Sequence, residues 1–200
     1  MLTMACCFLL GSYFCYDNPG PLETQLEEDF HLDSTHYSLL YTVYSMPNMV
    51  LPIFGGIFLD KIGIRAGLVL FTVILTLGQF VFMMGGYRHD YNWMLAGRVI
   101  FGMGGECMCV AQSCIVSAWF KGKELAFALG VNMSISRLGS VANAAIVPAV
   151  YDSSGLGPAL MVGFLICVFS LFNALGLVWL DKKAEKQNPN AQSAQLSAED

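Results

Sequence analysis

Six stretches of nearly unbroken apolar residues, separated by shorter polar or charged intervals, organise this 200-residue chain. They cover approximately residues 2 to 17, 37 to 59, 64 to 86, 93 to 118, 124 to 149 and 156 to 180. A helix needs about 20 apolar residues to cross ~30 Å of hydrocarbon, and every run but the first reaches that length. The runs lack the in/out alternation of spanning barrel strands, which predicts helices. The pattern therefore predicts an all-α membrane protein, a six-transmembrane-helix bundle over residues 1–181. The first run begins almost at Met1 but has no basic start and no small-residue cleavage pattern, so it reads as a span and not as a leader. A kink at Pro19 would carry it toward Leu22 and place Asp17 and Asn18 inside the bundle.

The polar intervals set the orientation. Six spans leave both termini on one side, and that side collects Lys61, Arg65, Lys121, Lys123, Lys182, Lys183 and Lys186. The opposite loops hold only Arg88, so the positive-inside rule assigns both termini to the cytosol. The longest far-side loop is acidic, with Glu23, Glu27, Glu28, Asp29 and Asp33. Residues 182–200, polar and rich in Ala, Gln and Ser from Gln187 onward, read as a cytosolic tail or linker without fixed structure.

Composition agrees with lipid as the main solvent: 12% of residues are charged, against about 25% in a soluble domain. The seven cysteines all fall within proposed spans and show no paired zinc-ligand spacing, which argues against a metal site or a disulfide framework. No nucleotide-binding loop, nucleophile elbow or basic patch interleaved with aromatics is present. The expectation is a protein that is not an enzyme, with no cofactor, no metal and no nucleic-acid partner; its surroundings are membrane lipid.

Three charges break the apolar runs: Arg98, Glu106 and Arg137. A charge near the bilayer centre costs about 2.5 to 3.5 kcal/mol on insertion scales, so such residues line a pathway, pair with one another, or bind a solute. Arg98 precedes Glu106 by about 12 Å along a helix axis and ~80° around it, too far for easy contact, and reads as a structural or gating charge. Glu106 and Arg137 share mid-span depth, either as a pair or as opposite anchors for one solute. Tyr37, Tyr41, Tyr44 and Asn48 fall on one face of the second span, where they either line the cavity, with Tyr44 and Asn48 deepest, or bridge helices at the interface, Tyr37 being the best suited of them to serve only as an interfacial anchor. Ser134, Ser136, Arg137, Ser140 and Asn143 give the fifth span a polar side that suits a cavity wall, although Ser136 and Ser140 serve equally as helix-packing contacts.

Between the second and third runs lies Gly55-Gly56-Ile57-Phe58-Leu59-Asp60-Lys61-Ile62-Gly63-Ile64-Arg65. Gly55 and Gly56 let a neighbouring helix approach closely, and Asp60 ends one helix. Gly63 permits a tight reversal, and Arg65 opens the next helix within reach of that carboxylate or of a neighbouring helix end. These residues resemble the signature loop of the major facilitator superfamily, G-x-x-x-D-[RK]-x-G-x-[RK], which Gly56, Asp60, Lys61, Gly63 and Arg65 fit in order. Arg98 followed by Gly102 and Gly104 is similar to the superfamily's second motif. The resemblance implies the amino-terminal half of a major facilitator fold, with a second six-helix half that this stretch does not contain. Homodimerisation, a longer parent chain and a non-transporting truncated membrane protein are the readings it leaves open.

A closer resemblance rests on Ser12 to Pro19, Tyr44 to Asn48, Gly102 to Glu106, Trp119 to Leu125 and Ser136 to Ser140, which look like the lysosomal dipeptide transporter branch of that superfamily. It implies a uniporter that moves dipeptides out of the lysosome by alternating access, beside a glycosylated lysosomal accessory membrane protein. A dipeptide zwitterion offers an ammonium to Glu106 and a carboxylate to the guanidinium of Arg137, and by this resemblance these two hold the peptide termini. Tyr44, Asn48 and Ser140 complete the expected substrate-binding set. The same fold carrying an organic anion or sugar is the alternative.

Overall fold

The computed structural model describes residues 2–187. The described chain is helical almost throughout: α1 (Leu2–Tyr16), α2 (Glu23–Phe30), α3 (Ser34–Ile62), α4 (Ile64–Arg88), α5 (Tyr91–Trp119), α6 (Lys123–Ser154) and α7 (Leu156–Gln187), with a single 3₁₀ turn at Gly20–Leu22. Among the described residues five helices, α3 to α7, are long and apolar enough to cross a membrane. At 15 residues α1 rises only ~22 Å, less than the ~30 Å hydrocarbon thickness, so a sixth crossing does not follow from its length.

Two boundaries differ from those the sequence predicts. The acidic far-side loop contains α2, whose Leu26 is fully buried while Glu23 and Glu28 stay exposed. One apolar anchor in an eight-residue polar segment is too weak a periodic signal to announce a helix. At the other end α7 continues through Gln187, so residues 182–187, assigned by composition to a tail, are helical; long cationic side chains tolerate this by reaching toward water from a helix end. Residues 188–200, the rest of that tail, lie outside the described residues.

The tightest contact in the bundle is the antiparallel seam between α4 and α5. It is built on glycines seven residues apart on each helix: Gly78 and Gly85 on α4, Gly97 and Gly104 on α5. A Cβ added at Gly78 would come within 2.4 Å of the Phe101 backbone nitrogen, and one at Gly97 within 2.4 Å of the Phe82 nitrogen. Without side chains at these points the two backbones touch, the way membrane helices replace a missing hydrophobic drive with close van der Waals packing. Phe82, Phe101, Met94 and Leu75 fill the spaces between and are buried.

α1 is held between α6 and α7. A Cβ at Gly139 of α6 would lie 2.4 Å from the Leu10 carbonyl oxygen, and the Cys15 thiol donates to the Gly163 carbonyl of α7 at 3.0 Å. The Asn143 side-chain amide donates to the Phe14 carbonyl at 2.6 Å. α1 ends at Tyr16, before Pro19, and the chain turns rather than continuing as one kinked span. Asn18 nevertheless lies wholly inside the bundle, with Asp17 partly covered.

Candidate functional site

The first question is where the three intramembrane charges go. Arg98 on α5 is the largest side chain that the bundle buries completely. Its Nη1 donates to the carbonyl oxygens of Cys15 and Tyr16, both at 3.2 Å, and its guanidinium lies 4.4 Å from the Phe82 ring centroid and 5.7 Å from that of Phe101. The last carbonyls of a helix have no intrahelical donor and carry the negative end of its dipole. Arg98 caps that end of α1 from a neighbouring helix, with two aromatic faces covering the charge.

Glu106 and Arg137 are placed differently. Both are exposed on the bundle, and among the described residues no ion pair joins them to each other or joins Glu106 to Arg98. Tyr13 of α1 stands near both. The Arg137 guanidinium sits 5.1 Å from the Tyr13 ring centroid, and the Tyr13 hydroxyl is within electrostatic reach of both Arg137 and Glu106. On the other flank of Glu106 stands Tyr44 of α3, buried, with the Asn48 amide beside its hydroxyl. Gly105 makes room for it: a Cβ there would come 2.9 Å from the Tyr44 hydroxyl oxygen. Tyr16 packs edge-on against Tyr44 at 4.9 Å between ring centroids.

Four helices thus contribute to one polar surface: Tyr13 and Tyr16 from α1, Tyr44 and Asn48 from α3, Glu106 from α5 and Arg137 from α6. Ser140, one turn beyond Arg137, is half-buried, and its Oγ has no hydrogen-bond partner among the described residues. A carboxylate and a guanidinium held apart, both facing outward at mid-helix with phenols beside them, can receive a solute carrying both signs of charge. Tyr13 and Tyr16 are the residues that sequence reasoning passed over. Their three-residue spacing puts them on one helix face, but aromatics inside an apolar run resemble core.

Other expected members are drawn elsewhere. Tyr37 is buried, and its hydroxyl donates to the Pro19 carbonyl at 3.2 Å, fastening the turn after α1. Ser136 is buried and bonds to the Asn132 carbonyl one turn back in α6, while the Asn143 amide ties α6 to α1, so Ser136 is spent within its own helix and Asn143 on helix packing.

At the opposite end of α3 the signature loop forms a two-helix reversal. Gly63 serves both as the end of α3 and the start of α4, at φ 86° and ψ 143°, where a side chain would be strained. Asp60 and Lys61 are exposed. Of the two partners open to Arg65, the neighbouring helix end is the one seen: its Nε bonds to Asp181 of α7 at 2.5 Å, and the Trp119 indole of α5 donates to the other Asp181 oxygen at 2.7 Å. Close approach by a neighbouring helix is confined to Gly55, where a Cβ would meet the Cys107 sulfur at 2.7 Å; one on Gly56 would meet nothing within 4 Å.

Long apolar helices around a buried arginine, with a carboxylate and a guanidinium displayed at mid-helix, define a multi-pass helical membrane protein. The family described as Major Facilitator Superfamily matches residues 4–199, and the chain belongs to that superfamily. Among curated relatives it is 43% identical to the lysosomal dipeptide transporter MFSD1 of Mus musculus over 197 residues, covering 93% of this chain and 42% of the relative. The zebrafish (Danio rerio) lysosomal dipeptide transporter MFSD1 is 43% identical over 192 residues, with 90% of this chain and 42% of the relative covered. A galacturonate transporter of Dickeya chrysanthemi is 27% identical over 148 residues, 73% of this chain and 42% of the relative. The chain thus spans less than half the length of the curated relatives it matches.

Proposed function

We propose that this bundle forms one wall of a dipeptide pathway in the lysosomal membrane, with Glu106 receiving the peptide ammonium and Arg137 the carboxylate. The observation that carries this is that the two charges are exposed with no ion pair between them among the described residues, and that Tyr13 is near both. Had they formed a structural pair, a direct ion contact would be expected, since a lone charge at bilayer depth is costly. The names of the MFSD1 relatives supply the substrate class.

In this reading α1 also crosses the membrane, aided by the turn that follows it, giving six spans with both termini in the cytosol. Tyr44, Asn48 and Ser140 shape the cavity. Gly56, Asp60, Lys61, Gly63 and Arg65 form the latch that closes on the second six-helix half, and Arg98 fixes α1 beside the pathway. The uncovered faces of α3 and α6 meet that second half as access alternates across the membrane. Transport is uniport, and a glycosylated accessory membrane protein on the lumenal side belongs to the same proposal.

The deciding experiment measures uptake of a labelled dipeptide into proteoliposomes that contain the whole transporter, with and without Arg137→Ala. A loss of at least about tenfold is expected, the worth of one charge-assisted bidentate contact. Unchanged uptake sinks the terminus-clamp assignment. Galacturonate competing as well as a dipeptide, and an amino-blocked peptide moving as fast as a free one, favour an organic anion instead.

A further inference from the structure

A groove of about 1150 Å³ opens at the end of the bundle where α4 begins and α5 and α7 finish. It is larger than the ~300–1,000 Å³ typical of small-molecule sites. Its floor is apolar, with Val69 and Val73 from α4, Ile115 from α5 and Val178 from α7. Among the described lining residues the charged ones, Arg65, Asp181 and Lys182, come from the helix ends at its mouth. From Arg65 to Val73 the groove follows α4 for ~12 Å, into the depth of the membrane.

The groove is separate from the polar surface around Glu106. Ile115 follows Glu106 by nine residues, which places the two ~180° apart around α5. Beyond its mouth the flanking surface is apolar and uncovered, with Leu70 and Leu77 on α4 and Phe172 and Leu175 on α7 exposed. That is a surface made for acyl chains.

We propose that the groove holds an anionic glycerophospholipid of the surrounding bilayer, one acyl chain along Val69, Val73 and Val178 and the headgroup at Lys182. Charge complementarity selects the headgroup. Asp181, the acidic residue among the described lining residues, is engaged by Arg65 and Trp119. Lys182 stands exposed at the rim, with Lys61 and Lys183 on the adjoining helix ends. Basic pockets between membrane helices beside apolar clefts are a recurrent way of holding anionic lipid. The chain's own residues 188–200 fit poorly: Leu196 is their only large apolar residue, and their charges are Glu199 and Asp200.

Native mass spectrometry of the intact protein, released from nanodiscs of phosphatidylcholine alone or mixed with phosphatidylserine, tests this. Retained phosphatidylserine should exceed phosphatidylcholine by about tenfold, and the double change Lys182→Glu and Lys183→Glu should abolish the preference without abolishing lipid binding. Val73→Trp, which fills the floor, should lose both lipids. A benzoylphenylalanine photo-crosslinker at position 73 should yield phospholipid adducts, a result independent of how well the tryptophan variant folds. Equal retention of the two lipids by the unchanged protein overturns the proposal. So does crosslinking to residues 188–200 or to a second protein chain.

Discussion

The α4–α5 pair and the α3–α6 pair have similar lengths, and all four helices are apolar enough to cross a membrane, yet the bundle treats the pairs oppositely. Within their most apolar stretches α4 and α5 are each 56% buried, whereas α3 is 17% and α6 22% buried. The first pair carries the glycine seam and its phenylalanines. The second displays Met46, Met49, Ile53 and Phe54 on α3, and Phe127, Leu138 and Val141 on α6, all exposed. The difference teaches that hydrophobicity places a helix in the membrane without saying what it packs against; small residues at close intervals decide that. The three intramembrane charges follow the same division. Arg98 is absorbed by the dense side, while Glu106 and Arg137 remain on the open one.

Breaking the dense side should have the largest effect. Gly97→Leu drives a side chain into the Phe82 backbone and should cost about 3 kcal/mol or more, read as a lowered unfolding midpoint in detergent. Arg98→Ala should cost about 2 kcal/mol by stranding the Cys15 and Tyr16 carbonyls; Arg98→Lys should recover part of it, because a point charge replaces a fork. On the open side, Arg137→Ala should change stability by less than about 0.5 kcal/mol in the same assay, whatever it does to transport. A loss as large as that of Arg98→Ala would erase the contrast between the two charges. A comparably small change, about 0.5 kcal/mol, is expected from Asp181→Asn, since its pair with Arg65 is partly solvated; hydrogen exchange at the end of α7 would register it.

The long helices were legible because lipid imposes a length and an apolarity that few other environments require. The turn at Gly63 was legible too, because a signature loop states its geometry residue by residue. The limits lay where tertiary context decides. Gly78, Gly85, Gly97 and Gly104 stand in plain view at intervals of seven, but which helices they join depends on how two spans face each other. Tyr13 is an apolar-run aromatic until α6 places Arg137 over its ring. Glu106 and Arg137 could be assigned to mid-span from the sequence, yet only the fold separates a structural pair from two charges left apart. α2 escaped notice because its stability comes from one buried leucine and not from its own periodicity.

The glycine seam also bears on the order in which the molecule is assembled. α4 and α5 are consecutive and joined by the tight turn at His89 and Asp90, so their contact is complete as soon as both have left the ribosome and entered the bilayer. α1 is made before α2 to α5, but its partners α6 and α7 are made after them. Until they arrive, Phe8 and Phe14 have no neighbours there and the polar turn at Asn18 is unsheltered. Biosynthesis therefore leaves α1 without its main packing partners while α2 to α5 are translated, whereas the α4–α5 seam closes between neighbours in the chain.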